Sequence, residues 1–222
     1  MEKINTVIFD LDGTLLDTLE DLKDSLNHTF KKFGLPERSL DDTRRFVGNG
    51  IRTLICRAVP EGTSEEMIDT LFEEMKAYYD LHCLDKTKPY DGVVTLLSQF
   101  YEAGYKLAIV SNKVDSAVKD LNKTFFSDYV SVAIGEKPGI ERKPAPDTVI
   151  EALRQLGSTK EEAIYIGDSE VDVATAKNSG MPCVSVLWGF RSKEWLLERG
   201  GSVFAETADE VFRYVTELNE EF

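Results

Sequence analysis

The sequence predicts an α/β fold in which a parallel sheet, covered by helices on both faces, is interrupted early by an all-helical insertion. Three observations predict it. Short apolar runs rich in β-branched residues alternate with segments of helical spacing through the later part of the chain. An early stretch carries helical patterns and no convincing strand. Polar residues of a few chemical types stand just beyond several of the apolar runs.

The first run, Thr6-Val7-Ile8-Phe9, has the length and composition of a buried strand. The insertion spans residues 17–84. One helix is expected from Leu19 to Phe33, stopped by Gly34-Leu35-Pro36. Another covers Ile51 to Val59 and ends at Pro60. A third runs from Ser64 to Tyr79, where Thr63 and Glu66 have the spacing of a capping box. A linker follows at Asp85-Lys86-Thr87-Lys88-Pro89.

Strands are then expected at Lys106–Val110, Val130–Ile134, Ala163–Ile166 and Cys183–Val186. Helical spacing appears from Asp91 to Glu102, Val114 to Asn122, Pro146 to Leu156 and Val171 to Ser179. Alternation of this kind builds a parallel sheet with helices on both faces. The expected domains are an α/β core of residues 1–16 and 85–222 and an all-helical insertion of residues 17–84. No internal repeat or low-complexity segment is present.

A chain of 222 residues accommodates one domain with an insertion or two small domains. Hydrophobic residues at 42% with charged residues at 30% describe an ordinary globular protein. No apolar run approaches the roughly 20 residues needed to cross a bilayer. The start, Met1 to Thr6, has no signal-peptide pattern, so the expected compartment is the cytoplasm. Cys56, Cys83 and Cys183 share no metal-ligand spacing and read as free thiols. A net charge of -14 argues against affinity for a nucleic-acid backbone. A chain this acidic binds phosphate only if a metal, a few lysines or backbone amides concentrate positive charge locally.

Ligands of an open parallel sheet bind beyond the carboxyl ends of its strands. Four signals fit that edge: Asp10 and Asp12, then Ser111-Asn112-Lys113, then Lys143-Pro144, then Gly167-Asp168-Ser169 with Asp172. Asp10, Asp12 and Asp168 in one crevice repel one another unless a cation joins them, which predicts a divalent metal. Oxygen ligands favour magnesium. Ser111 offers a hydroxyl and Lys143 a positive charge to a phosphoryl group, and the amides near Leu11 and Asp12 offer an anion nest. Residues i and i+2 of an extended segment project the same way, so Asp10 and Asp12 can address one phosphorus. The first attacks, and the second handles protons. Gly13 suits the sharp turn by which the chain leaves the strand.

These residues resemble the signature of the haloacid dehalogenase superfamily: Asp-x-Asp-Gly-Thr, Ser-Asn, Lys-Pro and Gly-Asp-x-x-x-Asp, in that order. The resemblance implies a Rossmann-like core with a helical cap inserted after the first motif. It implies Asp10 as nucleophile, Asp12 as acid/base, and Ser111, Asn112 and Lys143 as phosphate-binding residues. It also implies a magnesium site made by Asp10, the Asp12 carbonyl and Asp168, with Asp172 in support. Within the superfamily the chain is most similar to phosphoglycolate phosphatases, through Phe46-Val47-Gly48-Asn49-Gly50-Ile51-Arg52, Val110-Ser111-Asn112-Lys113 and Ser179-Gly180-Met181-Pro182. The expected activity is therefore hydrolysis of a small phosphorylated metabolite by a monomer or homodimer, with no nucleic-acid or membrane partner. A phosphomutase of the β-phosphoglucomutase type and a catalytically idle binding protein are the rival readings.

Several residues carry two readings. Ser111 suits phosphate binding or the N-cap of a helix beginning near Asn112. Asp172 suits the site or the positive end of a helix starting near Val171. Arg52 follows a flexible Gly48-Asn49-Gly50 turn and is either a grip for the distal end of the substrate or a surface arginine. His28 and His82 read as packing or surface histidines. Glu161-Glu162 and Glu220-Glu221 read as solvated acidic faces.

Overall fold

The computed structural model describes residues 3–220; Met1, Glu2, Glu221 and Phe222 lie outside the described residues, and with them part of the chain start and of the acidic tail read above. In chain order, β1 (Thr6–Phe9) is followed by β2 (Leu16–Asp17) and four helices, α1 (Leu19–Lys32), α2 (Leu40–Phe46), α3 (Gly50–Ala58) and α4 (Glu65–His82). Then come β3 (Lys88–Pro89), α5 (Val93–Glu102), β4 (Lys106–Val114), α6 (Asp115–Phe125), β5 (Val132–Glu136) and α7 (Asp147–Leu156). The chain continues with β6 (Ala163–Gly167), α8 (Glu170–Ser179), β7 (Cys183–Val186), α9 (Lys193–Glu198), β8 (Phe204–Ala205) and α10 (Ala208–Glu217).

Two compact units result, one of Met1–Leu15 with Pro89–Phe222 and one of Leu16–Lys88. The first is an α/β unit whose six-stranded sheet has the order β5-β4-β1-β6-β7-β8, with parallel pairing throughout. Phe9 lies in register with Ile109 on one side and Ile166 on the other. The chain passes from β1 outward to β4 and β5, then returns to β6 and moves outward the other way. Connections therefore diverge between β1 and β6, and a crevice opens at their carboxyl ends. Val7, Ile8, Phe9, Ile164, Tyr165 and Ile166 have no exposed surface, as strands covered on both faces require. On one face Ile8, Val110, Ile134 and Tyr165 pack with Val149 and Ala152 of α7 and Ala176 of α8. On the other, Phe100 of α5 lies 6.2 Å from Phe9 and 5.1 Å from Phe212 of α10.

The second unit is helical. Leu19, Leu22, Leu26 and Phe30 of α1 repeat at three- and four-residue spacing, as do Ile68, Leu71, Met75 and Tyr79 of α4. Each set forms the buried stripe of an amphipathic helix, and the two helices pack together. The four-residue-late end of this unit, relative to residue 84, has a cause in one buried carboxylate. Asp21 accepts hydrogen bonds from the Lys86 amide at 3.0 Å and the Thr87 amide at 2.8 Å, drawing the returning chain onto α1. His28 and His82 stack on the two sides of Tyr78, with ring centres 3.8 and 4.1 Å away, so both act in packing.

Three local expectations are corrected. The cap of α4 is Ser64, whose hydroxyl accepts from the Met67 amide, whereas the Thr63 hydroxyl donates to the Pro60 carbonyl; the Thr63–Glu66 box is one residue out of phase. The helix after β4 starts at Asp115, because Asn112 and Lys113 extend the strand, so Ser111 is not its N-cap. Glu162 is not merely solvated: its carboxylate accepts from the Thr159 amide and from Asn5. The cap assignment is testable by denaturant unfolding. Ser64→Ala is expected to cost about 1 kcal/mol and Thr63→Ala clearly less.

Candidate active site

The parallel register carries Asp10 one residue past β1, where its amide still donates to the Ile166 carbonyl at 2.9 Å. Asp168 stands one residue past β6, across the same crevice. Asp172 lies in the first turn of α8, and its Oδ2 accepts from the Ser169 amide and hydroxyl at 3.1 and 2.6 Å. Oxygens of Asp10, Asp168 and Asp172 approach within 4.8 Å of one another, and all three residues are buried.

Lys143 enters this cluster from the loop between β5 and α7. Its Nζ donates to Asp10 Oδ1 at 2.6 Å, to Asp172 Oδ1 at 2.8 Å and to the Tyr165 hydroxyl at 3.1 Å. Tyr165 in turn donates to Asp172 Oδ1 at 3.0 Å. The loop is held by Asn112, whose amide donates to the Lys143 carbonyl at 2.9 Å, and the Lys143–Pro144 peptide is cis. Asn112 thus positions the lysine. Ser111 is buried at the end of the central apolar part of β4, with its Oγ accepting from the Lys113 amide at 3.1 Å.

Asp12 is paired with Lys113, Nζ to Oδ1, at 2.9 Å. The floor is set by close backbone approach. Gly13 adopts a φ of +90°, and a Cβ there would lie 2.5 Å from Asp168 Oδ2. A Cβ on Gly189 would lie 2.4 Å from both Asp168 Cβ and the Gly13 carbonyl. That closeness lets the Phe190 amide donate to Asp168 Oδ2 at 2.7 Å, while Trp188 Nε1 donates to the Thr14 carbonyl at 3.0 Å.

Seven of the eight expected site residues, Asp10, Asp12, Ser111, Asn112, Lys143, Asp168 and Asp172, thus belong to strand ends, loops and the first turn of α8 in the α/β unit. Arg52 belongs to the helical unit, where its guanidinium pairs with Glu65 at 2.7 Å and Asp69 at 2.8 Å on the surface. Its surface reading therefore has partners. The preceding turn is real: Gly48, Asn49 and Gly50 have φ of 108°, 62° and 82°. Sequence reasoning missed Tyr165, Gly189 and the Phe190 amide, and gave Lys113 no role. Tyr165 was hidden as one more apolar strand residue; nothing in the sequence marks Gly189-Phe190.

A profile of the haloacid dehalogenase-like hydrolases matches residues 7–186. The chain is a haloacid dehalogenase-like hydrolase. The phosphoglycolate phosphatase of Aquifex aeolicus is 32% identical over 188 residues, covering 84% of this chain and 86% of that one. The pyrophosphatase PpaX of Halalkalibacterium halodurans is also 32% identical, over 195 residues, covering 87% and 88%. Among solved structures, a protein of Lactobacillus delbrueckii subsp. bulgaricus provisionally named a phosphoglycolate phosphatase superposes with a TM-score of 0.92 at 36% identity, over 96% of this chain and 99% of its own. This hydrolase is a phosphatase.

Burial, reinforced by Asp172, pushes the Asp10 carboxyl of this haloacid dehalogenase-like hydrolase up to about 7, against the opposing pull of Lys143. Burial and then the charges of Asp172 and Asp10 push Asp168 well above the ordinary carboxylate range, opposed by the Phe190 amide and Arg191. Burial also works against the charged form of Lys143, but Asp10 and Asp172 outweigh it and hold the ammonium well above the usual lysine range. One ammonium thus leaves three buried carboxylates under-compensated. An all-oxygen donor set in that condition suits a hard divalent cation.

Two outcomes follow for this phosphatase. Carboxyls raised in the folded state weaken it when ionised, so the metal-free protein loses stability as pH rises from about 4 through about 7. A divalent cation held by these carboxylates would compete with those protons, so magnesium added as a probe should raise the melting temperature more at pH 8 than at pH 5.5. At a hundredfold excess over Kd the rise is about 5–10 °C by scanning calorimetry. Gly189→Ala is expected to displace Asp168 and lower kcat/KM for phosphate release on the order of 100-fold, with fold retained by circular dichroism.

Proposed function

We propose that this chain hydrolyses a small phosphate ester through an aspartyl-phosphate on Asp10, with magnesium as its cation and 2-phosphoglycolate as the leading substrate. The observation that carries this reading is the contact of Lys143 with Asp10 in a crevice that also holds Asp168, at the sheet's switch point. Named relatives include phosphoglycolate phosphatases and pyrophosphatases, whose substrates are both small and phosphorylated.

Lys143 and Ser111 bind and orient the phosphoryl oxygens. An Asp10 oxygen attacks phosphorus, the bond from phosphorus to the ester oxygen breaks, and its electron pair stays on the departing oxygen. That oxygen takes a proton from Asp12. Water then attacks the phosphorus of the aspartyl-phosphate and yields a proton to Asp12. The Asp10 oxygen–phosphorus bond breaks, and inorganic phosphate leaves with the carboxylate regenerated. The carboxylates of Asp10 and Asp168 and the carbonyl of Asp12 would hold magnesium. When bound, it supplies neutralisation of charge developing on the transferring phosphoryl group. Asp172 supports from behind, since its oxygens already serve Lys143, Tyr165 and Ser169.

Phosphate release with magnesium, measured against 2-phosphoglycolate, pyrophosphate, nucleotides and sugar phosphates, tests the reading. Asp10→Asn should abolish turnover and trapping of covalent phosphate. Asp12→Asn should lower kcat by about 10²- to 10⁴-fold. Sugar-phosphate isomerisation without free phosphate would instead establish a mutase.

A further inference from the structure

Lys113 has no part in the chemistry above, yet it is built into the same edge. Four residues beyond the Phe9–Ile109 register it projects from the end of β4, beside the turn that carries Asp12. Its side chain is 8% exposed and that of Asp12 21%, with 2.9 Å between Nζ and Oδ1. A lysine this buried needs an anion, because removing an ammonium from water is costly unless it is paired. In this arrangement Asp12 supplies that anion. Asp12 is also the residue proposed to give its proton to the departing oxygen, so the Lys113 ammonium stands beside the leaving group and not beside the phosphoryl group, which faces Lys143 and Asp10.

The leaving groups of the two activities named among the relatives have one property in common. Departing glycolate carries a carboxylate carbon two bonds from its leaving oxygen, and departing phosphate carries anionic oxygens two bonds from its own. An anion at that short separation is within reach of a cation that already touches the acid on the leaving side. In a protein of net charge -14, such an anion is otherwise repelled.

We infer that Lys113 is a specificity residue that selects phosphate esters and anhydrides whose leaving group bears an anion next to the departing oxygen, and that this anion replaces Asp12 as the partner of Lys113 when substrate binds. The inference rests on the proposed function and deepens it. Exchange of partners keeps the ammonium paired at each stage and, only when a suitable leaving group is present, frees the Asp12 carboxylate, which takes up a proton from solvent and gives that proton to the departing oxygen. An ester with a neutral leaving group offers no replacement anion, so the Lys113–Asp12 pair persists.

The test compares 2-phosphoglycolate and pyrophosphate with 2-hydroxyethyl phosphate, which lacks the anion on its leaving group, in magnesium-loaded wild type, Lys113→Met and Lys113→Arg. Wild type should favour the two anionic substrates on the order of 10- to 100-fold in kcat/KM. Lys113→Met should bring that preference to within a few-fold, mostly through KM, with a smaller loss on 2-hydroxyethyl phosphate. Lys113→Arg should restore part of the preference. Free glycolate should inhibit wild type more strongly than ethylene glycol does, a readout that needs no folded variant. Equal losses on all three substrates in Lys113→Met would reduce Lys113 to a support for Asp12 and overturn the inference. So would a wild type with no preference, although its phosphate release would leave the proposed function standing. A wild type that releases phosphate from none of the three, and from nothing else in the wider panel, would overturn both.

Discussion

The ammonium of Lys143 lies between Asp10 and Asp172, and the architecture around it is arranged to keep it there. Buried carboxylates repel one another, and a buried lysine alone is costly, so each tolerates the interior only in the other's presence. Holding them together requires β1 to end at Asp10, α8 to start where Asp172 can turn inward, and the loop before α7 to enter the crevice. Asn112 clasps that loop, Ser169 orients Asp172, and Tyr165 bridges Asp172 and the lysine. The parallel sheet supplies the common edge; the hydrogen bonds decide which atoms face which.

The same logic explains how an acidic phosphatase handles anionic substrates. Lys143 and Lys113 each stand against an aspartate, 2.6 and 2.9 Å from its carboxylate, which anchors positive charge at fixed points in a chain whose average charge is repulsive. Local charge, not net charge, governs what the crevice attracts.

Much of this was legible beforehand because its physics is local or periodic. Buried strands read as continuous apolar runs, and the Thr6–Phe9 and Cys183–Val186 strands fall where those runs lie. Aspartates and lysines after strands stand out because such residues rarely enter interiors. What escaped depends on tertiary approach. Tyr165 looks like a core residue until its hydroxyl meets Lys143, and Gly189 looks like any loop glycine until the backbone of Gly13 is seen against it. Serine and threonine at neighbouring positions compete for one cap, so Ser64 and Thr63 could not be separated by spacing. Lys113 sat in a recognised run, but its partner is 101 residues away, beyond any pattern within one segment.

Asp21 has a consequence for how such a protein can change over generations. By binding the amides of Lys86 and Thr87, it fastens the two ends of the helical unit to each other within that unit. A segment whose ends already meet behaves as a closed cassette, and inserting or exchanging it asks little of the host chain at the junction. The helices between those ends are then free to diverge in length and sequence while the sheet and its crevice keep their chemistry.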